Sequence, residues 1–246
     1  MEFVFRIEQY GNLDGKKEMK LSEIIKRAGL KKVLPEEKPV LPTGRKVAVE
    51  EIVKTEKEEI LVSETEKLPA EQVYGEAITC IKKILDSFEK SEVVIDFMQV
   101  HHVVNNLLRK VLTGNEQIII LTNKSTPDNY LYGHSVNVSI LTIKLGHALN
   151  WTEDKLLPLG IAALLHDSGM TRVLPLASRP AKLNPTELEE IKRHPLYGKE
   201  ILEKLDNEIE HDIKELITTV AYQEHERVNG RGYPRGLKNR ELHEFA

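Results

Sequence analysis

The pair His166-Asp167 closes the apolar segment LLPLGIAALLHDSG, so an imidazole and a carboxylate stand at the end of a helix that its neighbours require to be buried. Burying two such groups is costly unless something compensates them, and a metal ion is the natural compensation. Three more histidines occur at separations that suit successive helices of one bundle: His134 in YGHSVNVSILTIKLG, His194 in EIKRHPLYG and His225 in YQEHERVNGRGYP. In order, His134, His166-Asp167, His194 and His225 read as a metal cluster assembled from several helices, with Glu224 next to the last of them. Neutral imidazoles and carboxylates suit Mn²⁺, Fe²⁺, Zn²⁺ or Ni²⁺, and the lack of cysteine ligands disfavours a purely structural zinc site. Asp167 has two oxygens and can bridge two ions. A bridged pair generates hydroxide at neutral pH and clamps the attacking and leaving oxygens of a phosphodiester, which is the logic of metal-dependent phosphohydrolysis.

The segment after His225, ERVNGRGYPRGLKNR, carries Gly230, Gly232 and Gly236 for tight backbone turns, with Pro234 to fix one of them. Arg227, Arg231, Arg235, Lys238 and Arg240 crowd the same stretch. Beside a metal pair, such a loop can cradle a phosphate through backbone donors and positive charge. The remaining histidines are set aside. His101 and His102 are adjacent and point in different directions on a helix, and His147, His211 and His243 have no matching partners.

Helices must bring these groups together. From His134, the positions Val138, Leu141, Leu145 and Ala148 or Leu149 recur at helical spacing and predict a core-facing stripe with the histidine at one end. Asn150 can end that helix, and Thr152 followed by Glu153 and Asp154 can cap the next. Leu159, Ala162, Ala163 and His166 then share a face, and Gly169 closes the helix in a left-handed conformation. Asn184, Pro185 and Glu187 form a strong start signal, with Pro195 expected to stop that helix just after His194. A final helix of about 207 to 226 stacks Ile213, Leu216, Ile217, Val220 and Ala221 and returns Glu224 and His225 to the cluster. Upstream, Val73, Ala77, Ile81, Ile84 and Leu85 predict one amphipathic helix, Val93 to Leu112 a second, and Ile118 to Leu121 a short apolar run before NKSTPDN. The first 68 residues mix strand-like runs such as FVFRI and KVAVEEIV with Pro- and Lys-rich connections. The expected fold is therefore mainly all-α, preceded by a small mixed α/β amino-terminal extension over 1–68, with lead-in or dimerisation helices over 69–127 and the metal domain over 128–246.

Composition narrows the setting. A chain of 246 residues is long enough to bury a real core. Its formal net charge of -4 argues against a nucleic-acid polymer as partner. Cys80 is the one cysteine, so no disulfide forms within the chain, and a reducing cytoplasmic compartment is expected. No secretory signal opens the sequence, and no apolar run approaches the ~20 residues of a membrane helix.

On HSVNV at His134, ALLHDSG at His166-Asp167, RHPLYG at His194 and QEHERVNGRGYP at His225, the chain resembles the HD-GYP family, bacterial HD-domain metal phosphohydrolases that degrade cyclic di-GMP. The likeness covers roughly residues 128 to 246. It implies an HD helical bundle, a centre of divalent transition-metal ions (Fe, Mn, Zn or Ni), and hydrolysis of cyclic di-GMP to pGpG or GMP. His166 and Asp167 would be catalytic, and His134, His166, Asp167, His194, Glu224 and His225 the metal ligands. Arg231, Gly232, Tyr233, Pro234 and Arg235 would orient the diester. A homodimer or a signalling protein is the expected protein partner. Four departures accompany the match. Met170 stands where the family has a phosphate-holding lysine, and Glu224 where it has the first of two consecutive histidines. Tyr130 occupies the place of a glutamate found in trinuclear members, so two metals are expected rather than three. The sequence also stops at LHEFA, ahead of a further helix and a nucleotide-contacting segment, which implies a truncated domain. Two alternatives follow from these departures: a catalytically weak or inactive signalling module that keeps the fold, or an HD phosphohydrolase acting on another nucleotide.

Overall fold

In a computed structural model, residues 68–90, 95–123, 130–205 and 209–246 are described. All of them belong to one unit. Residues 1–67, and with them almost all of the expected mixed extension, lie outside the described residues, as do Asp128 and most of NKSTPDN.

The mainly helical expectation holds among the described residues. Three helices lead in: α1 (Ala70–Glu89), α2 (Phe97–Leu112) and α3 (Glu116–Leu121). The stripe Val73, Ala77, Ile81, Ile84 and Leu85 is buried as predicted. The second helix begins at Phe97, where the Asp96 carboxylate accepts the Gln99 amide hydrogen and caps it; Val93, its expected start, lies outside the described residues. The helices α4 (Tyr130–Ala148) and α5 (Glu153–Leu165) pack directly on each other, with α1 and α2 against them. Tyr74 donates to Asn137 Oδ1 and Tyr132 to Asp86 Oδ1, at 2.8 and 2.9 Å, tying α1 to α4. A 3-10 turn (Ser168–Arg172) then leads to the short helices α6 (Leu174–Ala177) and α7 (Pro185–Ile191). Two further helices, α8 (His194–Leu202) and α9 (His211–Gln223), complete the site.

The face of α4 corrects the sequence reading. Leu141 and Leu145 are exposed, and the buried positions are Leu131, Gly133, Ser135, Val136, Ser139, Ile140, Ile143 and Gly146. The reason is close approach. A methyl group on Gly146 would come within 2.6 Å of Leu156 Cδ2, and one on Gly160 within 2.7 Å of Ile143 and Val104. The Ser139 hydroxyl donates to the Gly160 carbonyl at 2.8 Å inside this contact, a buried bond contributing ~1 kcal/mol. Small residues mark the contact, while leucines elsewhere on the same helix imitate an inward stripe.

The helix boundaries are partly as expected. Asn150 takes a positive φ of 60° after α4. Asn184 and Glu187 form a reciprocal capping box at α7. Thr152 does precede α5, yet its side chain makes no capping bond, and the acids Glu153 and Asp154 in the first turn face the helix dipole instead. Pro195 does not terminate a helix. It lies in the first turn of α8, where a missing N–H costs nothing, and α7 has already ended at Ile191. Gly169 is not left-handed but sits within the 3-10 turn. It is needed because a Cβ there would overlap the His194 carbonyl oxygen and the Gly198 amide nitrogen. The last long helix is shorter than expected, ending at Gln223 with Glu224 as its cap residue. Met170 packs against the core.

Candidate metal centre

Each predicted ligand sits at a helix end or within the first two turns of a helix, where the chain can deliver a side chain to a common point. His134 lies in the first turns of α4, and its ring stacks on Tyr130 with centroids 5.9 Å apart. His166 caps α5, and Asp167 begins the 3-10 turn. His194 opens α8, while Glu224 and His225 follow α9. His166 Nδ1 is 2.7 Å from the Ala163 carbonyl, and His194 Nδ1 is 2.8 Å from that of Ile191. A carbonyl oxygen only accepts, so both Nδ1 atoms carry hydrogen, and in the neutral rings both Nε2 lone pairs are left facing the centre.

All six predicted ligands converge. Asp167 Oδ2 is 3.5 Å from His134 Nε2 and 3.4 Å from His166 Nε2, while its Oδ1 is 3.4 Å from His194 Nε2. Glu224 Oε2 lies 3.4 Å from His166 Nε2, and Oε1 lies 3.3 Å from His194 Nε2. The Nε2 atoms of His194 and His225 are 3.0 Å apart. Two groups of mutually close donors result, one of His134, His166 and Asp167, the other of Asp167, His194, Glu224 and His225.

These residues fit divalent metal ions on physical grounds. With the rings neutral and the carboxyls ionised, acceptor atoms face acceptor atoms, and Glu224 Oε1 is buried with no hydrogen bond. Such an arrangement is unfavourable without a positive charge among them. The spacings also agree, since ligands ~2.0–2.1 Å from a four- to six-coordinate ion stand about 3.0–3.4 Å from each other.

The electrostatics carry the same signature. Burial pushes the Glu224 carboxyl up to about 8, with His166 opposing and Asp167 adding to the shift. Burial also disfavours the Asp167 carboxylate, but His166, His194, His134 and His225 together hold it below the usual range. The His166 ring is desolvated yet raised by Asp167 and Glu224. Burial and the neighbouring His194 take His225 down to about 4, and burial lowers His134 against the pull of Asp167.

A pH dependence of metal binding follows. Glu224 ligates only when deprotonated, and in the ion-free protein it keeps its proton up to about pH 8. Below that pH an incoming ion must displace the proton, so affinity falls as pH falls, by up to about tenfold per unit for this group alone. His166, raised above its ordinary value, adds in the same direction, whereas His225 is neutral near pH 7 and adds nothing there. Calorimetric Mn²⁺ titrations in buffers of different ionisation enthalpy should show proton release near neutrality, reduced in Glu224→Gln. A pH-independent affinity would contradict the buried, protonated Glu224.

The glycine-rich segment packs beside this centre through Tyr233, whose ring stacks on His225 with centroids 4.7 Å apart. Burial, with the negative Glu224 and Asp167 nearby, raises the Tyr233 phenol, so it remains a neutral hydroxyl. Gly230 and Gly236 take positive φ values of 72° and 67°. Gly232 has no room for a side chain against the backbone of His225, Glu226 and Arg227. Arg231, Pro234 and Arg235 are exposed, so the structure joins the loop to the ligands through Tyr233 and not through the two guanidinium groups.

The sequence reading missed Glu226. This buried carboxylate accepts the amide hydrogens of Arg235, Gly236 and Leu237 at 2.6, 3.0 and 2.8 Å, and so clamps the far side of the loop to the residue after His225. The available signal was an acid followed by a turn-rich run with no other acid until Glu241. A loop so short of acceptors needs one to gather its amides.

Comparison with known proteins agrees with this geometry. Residues 115–246 match the family model described as HD domain. The chain is 33% identical over 149 residues to a cyclic di-GMP phosphodiesterase of Pseudomonas aeruginosa, covering 60% of this chain and 35% of that protein. It is 32% identical over 116 residues to a cyclic di-GMP phosphodiesterase of Thermotoga maritima, covering 47% and 30%. It is also 32% identical over 114 residues to a 3'3'-cGAMP-specific phosphodiesterase of Vibrio cholerae, covering 46% and 24%. The matched part thus spans about a third or less of each relative.

Proposed function

The chain belongs to the HD-domain family, and from that premise we propose that it is a metal-dependent phosphodiesterase that hydrolyses cyclic di-GMP to pGpG or GMP in the cytoplasm. The observation that carries this reading is the convergence of six donor side chains from separate chain segments, with the two oxygens of Asp167 divided between His166 and His194. Bound divalent ions would supply Lewis-acid activation of water and of the phosphodiester. The ions would be held by His134, His166, Asp167, His194, Glu224 and His225. The protein's share is positioning. The Ala163 and Ile191 carbonyls fix the His166 and His194 tautomers, so those lone pairs are aimed before any ligand arrives. Tyr233, Gly232 and Pro234, with Arg231 and Arg235, would orient the diester at the open side, where His134 and His225 are the most exposed ligands. The name of the Vibrio cholerae relative extends the candidate substrates to 3'3'-cGAMP.

One observation favours a second reading, a catalytically weak signalling module: Met170 packs, partly buried, against the core and offers no charge to a phosphate. One assay separates the readings. Anaerobically purified protein loaded with Mn²⁺ or Fe²⁺ is incubated with cyclic di-GMP and, in parallel, 3'3'-cGAMP, and products are resolved by chromatography. Cyclic di-GMP should be consumed in favour of pGpG or GMP. Preferential loss of 3'3'-cGAMP would replace the substrate, and no turnover of either by folded, metal-loaded protein would leave the signalling module.

A further inference from the structure

Glu224 differs from every other ligand except Asp167 in having two donor atoms, and the structure points them in different directions. Its Oε2 faces His166 at 3.4 Å, and its Oε1 faces His194 at 3.3 Å and His225 at 3.9 Å. Asp167 divides its oxygens the same way, Oδ2 toward His134 and His166, Oδ1 toward His194. Each carboxylate therefore has one oxygen on His166 and the other on His194. We infer that Glu224 is a second bridging carboxylate, so that two ions share both Asp167 and Glu224, one ion completed by His134 and His166, the other by His194 and His225. The inference rests on the metal-centre reading above and adds the topology of that centre.

Burial explains why the second oxygen needs an ion. The Glu224 side chain is 11% exposed, and Oε1 is buried without a hydrogen bond. A carboxylate that served one ion through one oxygen would leave the other desolvated among imidazole lone pairs. Bridging satisfies both. The first donor group, His134, His166 and Asp167, is approached by Glu224 from the His166 side. Glu224 is not itself a member of that group, so sharing an ion there would require the half-exposed His134 ring to turn toward it. Two bridging carboxylates bring two negative charges to the ion pair, where a histidine at position 224 would bring one fewer. Such an oxygen-rich, more anionic centre suits Mn²⁺ and Fe²⁺ over softer ions.

Glu224→His and Glu224→Gln test this, because each leaves at most one good donor atom at the position. The 246-residue chain and both variants are titrated with Mn²⁺ alone, with stoichiometry and affinity read by calorimetry, low-temperature Mn²⁺ electron paramagnetic resonance as a second readout, and circular dichroism to confirm folding. The wild type should bind two ions with an exchange-coupled spectrum. Each variant should keep one ion and bind the second at least about tenfold more weakly, with the isolated-ion spectrum growing. Two ions bound with unchanged affinity and coupling in Glu224→His would overturn the bridge while leaving the phosphodiesterase reading intact. A wild type that binds two ions but hydrolyses no cyclic dinucleotide would sink the functional reading and leave the bridge standing. A wild type that binds one ion or none would overturn the bridge.

Discussion

Asp167→Asn should release metal and abolish hydrolysis while leaving the fold in place. Asp167 is the side chain on which both donor groups meet, within 3.4–3.5 Å of His134, His166 and His194. Its carboxylate is held below the usual range by those histidines and His225 despite its burial, so the site is built around a negative charge there. Asparagine keeps the shape but turns one bridging oxygen into an N–H₂ donor, which cannot ligate and which repels a cation. Loss of an interaction needed by both ions should lower kcat/KM by about 10³-fold or more, equivalent to roughly 4 kcal/mol of transition-state stabilisation. Metal content by mass spectrometry should fall in parallel, with an unchanged helical circular-dichroism spectrum. A folded Asp167→Asn protein that retained its ions and came within tenfold of wild-type turnover would rule out this centre.

The second large effect is expected at a residue with no side chain. In Gly169→Ala the new methyl group would overlap the His194 carbonyl oxygen and the Gly198 amide nitrogen. Both are backbone atoms of α8, so no rotamer change relieves the clash and the helix must move away from the 3-10 turn. His194 moves with it, out of register with Asp167 two residues before the substitution. Overpacking against backbone belongs at the upper end of its usual range, about 3 kcal/mol, which for a chain of this size lowers Tm by roughly 6–12 °C. Metal occupancy should fall as well. Gly198→Ala is the control from the other side of the same contact, since its methyl group would meet Gly169 N at 3.3 Å and Ala221 Cβ at 3.6 Å, a tight but adjustable fit. Equal melting temperatures and metal content for Gly169→Ala and wild type would show that α8 does not rest on the turn as described.

How far these expectations could be read without coordinates differs from residue to residue. The lead-in stripe Val73, Ala77, Ile81, Ile84 and Leu85 was legible because α1 is amphipathic, and one buried face writes itself into hydropathy. The start of α7 was legible because a capping box is local, settled by Asn184 and Glu187 three residues apart. The six side chains that converge at the candidate centre were legible by residue type, since a histidine or an acid beside an apolar core has few inexpensive uses. The inward face of α4 was not. Apolar residues occur on more than one side of that helix, and the buried contact with α5 is made by Ser139, Gly146 and Gly160, whose small hydropathy hides their importance. Glu226 escaped notice for a related reason: its partners are amides, which every residue carries.

Residue chemistry and local spacing thus determined by themselves that this chain is mainly helical and that it offers imidazoles and carboxylates at helix ends. Tertiary structure alone decided that α8 touches the 3-10 turn through Gly169, that Glu226 gathers the loop, and that Asp167 and Glu224 each divide their two oxygens between His166 and His194. Those facts depend on where segments tens of residues apart come to rest, and that is set by close packing and by the need to satisfy every buried polar atom, neither of which has a period in the sequence.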